Sequence, residues 1–144
     1  MSEAKFKKVI HRGFLDFAKH FELPLHWQLH EDALSVGIPD ISYGVRGANG
    51  WIEAKWDNQM PKVGSKYIPH FELFQEAWLV ARGKAGGPTH LVHGYSDGVV
   101  IMSHEGLLRR RPEMNMMDIA DLKGVFILPK FDMEAVRIIL RGDT

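Results

Sequence analysis

The chain has 144 residues, of which 45% are hydrophobic and 25% are charged. This composition is typical of a globular protein with one hydrophobic core, so we expect a single domain over residues 1–144. The 18 basic and 18 acidic residues give a formal charge of zero, which argues against a uniformly basic surface that grips long duplex DNA.

The N-terminal half is predicted to contain one helix and three strands. Apolar residues at helical spacing predict a helix over residues 3–21 with Ser2 as its N-cap, and Pro24 follows its end. Residues 27–29 alternate like a strand, and residues 38–43 and 51–56 are predicted to form a hairpin. The run between them, residues 43–50, contains three glycines and one asparagine, which tolerate the positive φ angles of a hairpin loop.

The C-terminal half continues the alternation of helices and strands. Its predicted elements are a helix over 71–82, strands over 90–95 and 98–102, short helices over 103–108 and 116–122, a strand over 125–128 and a helix over 131–140. Residues 57–69 are rich in lysine, glycine and proline and are predicted to form a long loop. Together these elements predict an α/β fold with a central mixed β-sheet flanked by helices.

Two carboxylates and one ammonium group lie in the predicted hairpin. Side chains alternate along a strand, so Glu53 and Lys55 are expected on the same face. Asp40 follows Pro39, which is confined to strand starts, edges or bulges, where a side chain can be redirected. Carboxylates are the ligands that Mg²⁺ prefers, and a lysine beside the metal can orient or deprotonate a water and offset negative charge on a phosphate. The pattern therefore predicts phosphodiester hydrolysis.

These motifs resemble a known family. The segment Gly37-Ile38-Pro39-Asp40, followed by Trp51-Ile52-Glu53-Ala54-Lys55, is similar to the PD-(D/E)xK nuclease superfamily, in particular its small phage and VRR-Nuc-like, resolvase-related members. The resemblance covers residues 26–103. It implies a restriction-endonuclease-like core and a Mg²⁺- or Mn²⁺-dependent deoxyribonuclease that acts by in-line attack of a metal-activated water, without a covalent intermediate.

The resemblance also implies roles for individual residues. Asp40, Glu53 and the carbonyl of Ala54 would bind the metal, Lys55 would serve the attacking water, and Gln75 on the following helix would support the lysine or the scissile phosphate. Relatives carry a further acidic residue at the end of a preceding strand.

Three residues are candidates for this further metal ligand. Glu31 occupies the position at the strand end and is favoured, while Asp32 beside it and Glu3 in the first helix stay open as alternatives. A zinc pair formed by His26 and His30 is not favoured, because the strand pattern around them places these histidines differently from a helical zinc motif.

DNA is the expected partner, and its phosphates require local basic surface on a neutral chain. Candidate contacts are Lys62 and Lys66 in the long loop and the cluster Arg109, Arg110 and Arg111, although charge runs are often only solvated surface. Trp51, Trp56 and Trp78 are predicted to pack in the fold rather than to stack on bases. A homodimer is expected, since resolvase-like relatives cut two equivalent strands of a branched junction.

The alternative function is a non-catalytic nucleic-acid-binding or assembly protein that retains the nuclease fold. Cysteine is absent, which excludes disulfides and thiolate metal sites. No apolar run reaches the length of a membrane span and the N-terminus lacks the apolar core of a signal peptide, so we expect a cytoplasmic protein, in the bacterial host if it is phage-encoded. The substrate structure, the mode of cleavage and the pathway, such as repair or recombination, stay open.

Overall fold

The central element is a six-stranded mixed sheet. The computed structural model describes residues 1–31 and 37–141. Its elements are α1 (Glu3–His20), β1 (Leu25–Leu29), β2 (Ile41–Val45), β3 (Ala48–Trp56), α2 (Gln75–Lys84), β4 (Thr89–Tyr95), β5 (Gly98–Ser103), α3 (His104–Arg109), α4 (Met116–Ala120), β6 (Val125–Leu128) and α5 (Met133–Arg141). The strands lie in chain order across the sheet, and the β3–β4 pair is parallel while the other neighbours are antiparallel.

The two faces of the sheet carry separate apolar clusters. One cluster joins α1 and α5 to the sheet through residues such as Phe14, Ile52 and Val136. The other joins α2, α3 and α4 to the opposite face through residues such as Leu79 and Leu91. β4 and β5 are buried at every position, because they lie in the middle of the sheet with helices on both faces.

Helix α1 begins and packs as its sequence predicts. The Ser2 side chain accepts a hydrogen bond from the Lys5 backbone N–H at 3.2 Å and caps the helix. Phe6 packs on Gly94 of β4, where a Cβ atom would lie 2.5 Å from the Phe6 ring. The glycine thus lets the first turn of α1 approach the sheet closely, next to the carboxyl end of β3.

The predicted hairpin is confirmed, but its turn is shorter than the glycine-rich run predicts. Only Arg46 and Gly47 separate β2 from β3, and both have positive φ angles, of 52° and 77°. A two-residue type I′ turn requires this conformation at both central positions. Gly44 and Gly50 lie inside strands, and the Tyr43 ring occupies the space that a side chain at position 50 would need.

Helix α2 begins at Gln75 and not at residue 71 as the apolar pattern predicts. Phe74 has φ 69° and ψ −5°, a left-handed conformation that does not belong to a right-handed α-helix. The preceding residues 57–74 form a long irregular connection, as predicted for residues 57–69. Tyr67 holds this connection in place. Its side chain is buried, and its backbone N–H donates a hydrogen bond to the Met114 carbonyl at 2.9 Å. Among the described residues, no helix has the length and apolar character needed to span a membrane.

Candidate active site

Asp40 and Glu53 meet at the carboxyl end of β3. Asp40 directly precedes β2, and its backbone carbonyl accepts a hydrogen bond from the His30 N–H at 2.7 Å. Its carboxylate lies across β3, where Oδ2 accepts a hydrogen bond from the Ala54 N–H at 3.3 Å. The bend after Pro39 therefore turns the Asp40 side chain towards the strand that carries Glu53 and Lys55.

A third carboxylate reaches the same place from α1. Ligand oxygens of Glu3, Asp40 and Glu53 all lie within 4.8 Å of one another. Glu3 is the first residue of α1, and the contact of Phe6 with Gly94 fixes that first turn over the end of β3. Three convergent carboxylates with oxygen donors suit a hard divalent cation.

The state of Glu53 fits such a cation. Its side chain is 1% exposed, and its Oε1 has no hydrogen-bond partner among the residues that the structure describes. The pKa of Glu53 is raised from 4.5 to about 8: burial is the largest cause, repulsion by Asp40 adds to it, and Lys55 opposes both effects. A buried carboxylate without enough donors is costly unless a cation or a proton neutralises it, so the residues present fit a divalent metal.

Lys55 and Gln75 form the other half of the site. Lys55 lies on the same face of β3 as Glu53, with Nζ 3.4 Å from Glu53 Oε2 and its side chain 11% exposed. Nζ also donates a hydrogen bond to Gln75 Oε1 at 3.1 Å, and the same oxygen accepts from the Glu72 N–H at 2.8 Å. The buried Gln75 side chain is thereby fixed between the start of α2 and the lysine.

Lys7 is a member of the site that the sequence did not assign to it, since there Lys7 belongs only to a basic cluster with Lys5, Lys8 and Arg12. Its Nζ lies 3.5 Å from Asp40 Oδ1. Glu3 and Lys7 are four residues apart and so lie on the same face of α1. This spacing is a sequence signal, but only the packing of α1 on the sheet shows which of its faces meets Asp40.

The acidic cluster contains Glu3 and does not contain Glu31, the favoured candidate. Glu31 is exposed, beside a shallow pocket that Lys7 and Trp27 also line. Asp32 lies outside the described residues. The geometry therefore favours Glu3, the helical alternative, because α1 crosses the end of β3 whereas β1 is separated from β3 by β2.

The predicted DNA-contacting residues have different surroundings. Lys62 and Lys66 are exposed in the long connection, and the backbone of Lys66 forms an isolated antiparallel β-bridge with that of Asn115. Arg110 donates to Glu76 of α2 at 2.9 Å and its side chain is 13% exposed.

The other two arginines of the cluster also contact the protein. Arg109 pairs with Glu105, and Arg111 donates to three backbone carbonyls at the end of α3. These contacts favour a structural role for Arg110 above all.

A buried polar network lies beside Lys55, and sequence reasoning did not predict it. His93 of β4 pairs with Lys55 in the strand register. Its Nε2 donates to Asp57 Oδ2 at 2.6 Å, so the neutral ring accepts at Nδ1 from the Tyr67 hydroxyl at 2.8 Å. Burial lowers the pKa of His93, and the bond to Asp57 opposes this effect. The network anchors the start of the long connection to the sheet.

Comparison with known proteins supports the fold. No family model matches the sequence, and no curated protein matches it with significance. The structure is similar to that of Hjc from Archaeoglobus fulgidus, a Holliday junction resolvase from an archaeal hyperthermophile. The TM-score is 0.50 at 14% sequence identity, over 78% of this chain and 90% of that chain. The predicted fold class, an α/β fold with a central mixed sheet flanked by helices, is confirmed.

Proposed function

We propose that this protein is a metal-dependent nuclease that hydrolyses phosphodiester bonds in DNA. The observation that carries the proposal is the convergence of Glu3, Asp40 and Glu53 beside Lys55, in a fold similar to that of a junction resolvase. A surface ion-pair network does not account for the arrangement, because Glu53 is buried with an oxygen that no described donor satisfies.

The three carboxylates and the Ala54 carbonyl are the proposed ligands of Mg²⁺ or Mn²⁺. When bound, such a cation supplies a Lewis acid for the scissile phosphate and lowers the pKa of a water. Lys7 lies against Asp40, where it limits the repulsion among the acids and holds the Asp40 carboxylate in position.

Lys55 is the proposed partner of the attacking water. Its ammonium group is fixed on one side by Glu53 and on the other by Gln75. A fixed cation can orient the water and stabilise the negative charge that develops on the phosphate during in-line attack. Gln75 acts through Lys55 as a positioning residue, because its own oxygen already accepts two hydrogen bonds.

Branched or junction DNA is the proposed substrate class. The chain carries no net charge, so it is poorly suited to bind any long duplex by charge alone. A homodimer would present two such sites to two strands of a junction, as two-fold symmetry allows. Both statements go beyond the fold and belong to the proposal, as does a role in recombination or repair.

Cleavage of a labelled DNA panel tests the proposal. Duplex, single-strand, nicked, flap and four-way-junction substrates are incubated with Mg²⁺, Mn²⁺ or EDTA. We expect wild-type protein to cut with metal only, and Lys55→Ala to lose at least roughly 100-fold in rate, in line with the loss of one fixed charge-stabilising group. Lys19→Ala is the matched control, because Lys19 is exposed at the other end of α1, roughly 24 Å along the helix from Glu3.

Two results would contradict the proposal. One is equal cleavage in EDTA and in Mg²⁺, and the other is full activity of Lys55→Ala. A folded wild-type protein that binds these DNA molecules but cuts none of them, with either metal, would instead support the non-catalytic binding protein.

A further inference from the structure

The residue before Gln75 has an unusual backbone conformation. Phe74 has φ 69°, which few aromatic residues adopt, and α2 begins there without a side-chain cap. Such conformations persist where the surrounding structure holds them, and they cluster at functional sites. The position of Phe74, next to a residue that contacts Lys55, makes it the strongest such case outside the acidic cluster.

The surrounding contacts explain how the conformation is held. Gly37 has φ 84° and lies so close that a Cβ atom there would be 3.0 Å from Phe74 Cβ and 3.1 Å from its carbonyl oxygen. On the other side, the Gln75 side chain is bonded to the Glu72 N–H and to Lys55. Phe74 is thus fixed between the segment that leads to Asp40 and the residue that holds the lysine.

This fixed turn exposes two large apolar side chains at the rim of a polar site. Phe74 is 60% exposed and the adjacent Leu73 is 71% exposed. Contiguous exposed apolar side chains are candidates for a surface that contacts a ligand or partner, and Leu73 and Phe74 are adjacent and lie beside the polar site. Trp51 and Trp78 differ, because their rings pack on each other at 5.1 Å and both are only partly exposed.

The charges around the turn select the kind of group that fits. Glu72 precedes Leu73, whereas Glu76 after Gln75 is paired with Arg110 at 2.9 Å and adds no net charge. The Glu72 carboxylate repels a phosphate, so the DNA backbone is disfavoured at this position, whereas a neutral nucleobase is not. An aromatic ring binds any base by stacking on its face. The neighbouring acidic cluster, with its metal, is where a phosphate of the same strand would lie.

We propose that Phe74, assisted by Leu73, is a stacking platform for an unpaired nucleobase next to the scissile phosphate. The inference rests on the proposed nuclease function and names its substrate class: DNA with unstacked nucleotides, as in single strands, flaps and branch points. In an intact duplex, each base is already stacked between its neighbours and is not available to Phe74. The platform therefore selects for DNA structure and not for sequence.

Binding without metal tests the platform independently of cleavage. Affinity for a 20-nucleotide single strand and for the duplex of the same sequence is measured in EDTA at low salt, with 2-aminopurine in the single strand to report stacking. We expect Phe74→Ala to weaken single-strand binding by roughly tenfold or more and to abolish the 2-aminopurine response, with duplex affinity unchanged within about twofold. Phe74→Tyr keeps the ring and should bind like wild type.

The control variant is Phe21→Ala, which removes another exposed phenylalanine, 43% exposed just beyond the other end of α1. It should leave both affinities unchanged, and thermal unfolding of each variant checks that the fold is retained. If Phe74→Ala is unstable, Phe74→Leu removes the aromatic face with less change in apolar bulk.

Several outcomes would overturn the platform. One is a Phe74→Ala variant that loses affinity for the single strand and for the duplex equally. The others are a Phe74→Ala variant that loses no affinity for the single strand, and a wild type that binds neither DNA. A wild-type dimer that becomes a monomer in Phe74→Ala, by sedimentation, would assign the surface to a second copy of the chain instead.

Cleavage assays keep the two proposals apart. A wild type that cuts, with a Phe74→Ala variant that keeps the same substrate preference, refutes the platform and leaves the nuclease intact. A wild type that never cuts but loses single-strand binding on Phe74→Ala supports the platform and refutes the nuclease.

Discussion

Replacing Glu53 with glutamine should stabilise the metal-free protein at alkaline pH, although it removes the central acidic group of the site. The reason is the raised pKa of Glu53: burial and repulsion by Asp40, opposed in part by Lys55, bring it from 4.5 to about 8. Between these two pH values the folded protein holds a proton on Glu53 while the unfolded chain has lost it. The contribution of Glu53 to the free energy of unfolding of the metal-free wild type therefore falls as pH rises through this window, and it levels off above pH 8.

The magnitude follows from the same two pKa values. A group whose pKa rises from 4.5 to about 8 on folding costs at most about 5 kcal/mol of stability above pH 8 and slightly less at pH 8 itself, at about 1.36 kcal/mol for each pH unit. Glutamine does not recover all of this, because Lys55 loses its charged partner and the buried amide needs its own hydrogen bonds. We expect Glu53→Gln to gain about 1–3 kcal/mol at pH 8 and close to nothing at pH 5.

Urea unfolding in EDTA at pH 5 and pH 8 measures the effect. The difference between variant and wild type isolates Glu53, since the other titrating groups are common to both proteins. Glu113→Gln is the control, because Glu113 is exposed and its replacement should change neither value. Addition of Mn²⁺ at pH 8 should then reverse the order, because a ligand at 1,000 times its Kd stabilises the wild type by about 4.1 kcal/mol and does not stabilise a variant that cannot bind it.

The reasoning fails if Glu53→Gln is no more stable than wild type at pH 8, or if its gain is the same at both pH values. Either result would mean that the folded structure does not leave Glu53 short of compensating partners. Stabilisation of Glu53→Gln by Mn²⁺ as large as that of wild type would remove Glu53 from the metal site.

Two further predictions concern the surroundings of the site. Burial lowers the pKa of His93, so as pH decreases below about 6.5 the unfolded chain takes up a proton on this histidine before the folded protein does, and stability falls. His93→Gln should reduce that loss of stability, as measured by urea unfolding between pH 5 and 7.5. An unchanged dependence of the free energy of unfolding on pH would contradict this prediction. Gly94→Ala would place a Cβ atom 2.5 Å from the Phe6 ring and should cost about 1–3 kcal/mol of stability. Since Phe6 holds the turn that carries Glu3, Mn²⁺ affinity should also fall in a calorimetric titration; an unchanged affinity would mean that the contact of Phe6 with Gly94 does not position Glu3.

The local elements and one half of the site follow from the amino-acid sequence alone. Helix α1 with its Ser2 cap, the β2–β3 hairpin and the β4–β5 hairpin follow from apolar spacing and turn residues, which act over a few positions. The shared face of Glu53 and Lys55 follows from the period of two in a strand. These features needed no knowledge of distant contacts.

Contacts between distant parts of the chain set which residues complete the site. Glu3 is 50 positions from Glu53 in the sequence, and it joins the acidic cluster because Gly94 admits Phe6 close to the sheet. Helix α2 begins late because Gly37 and the Gln75 bonds hold Phe74 in a left-handed conformation that its apolar pattern does not encode. In each case the deciding contact joins residues far apart along the chain, where periodicity and local propensity carry no information.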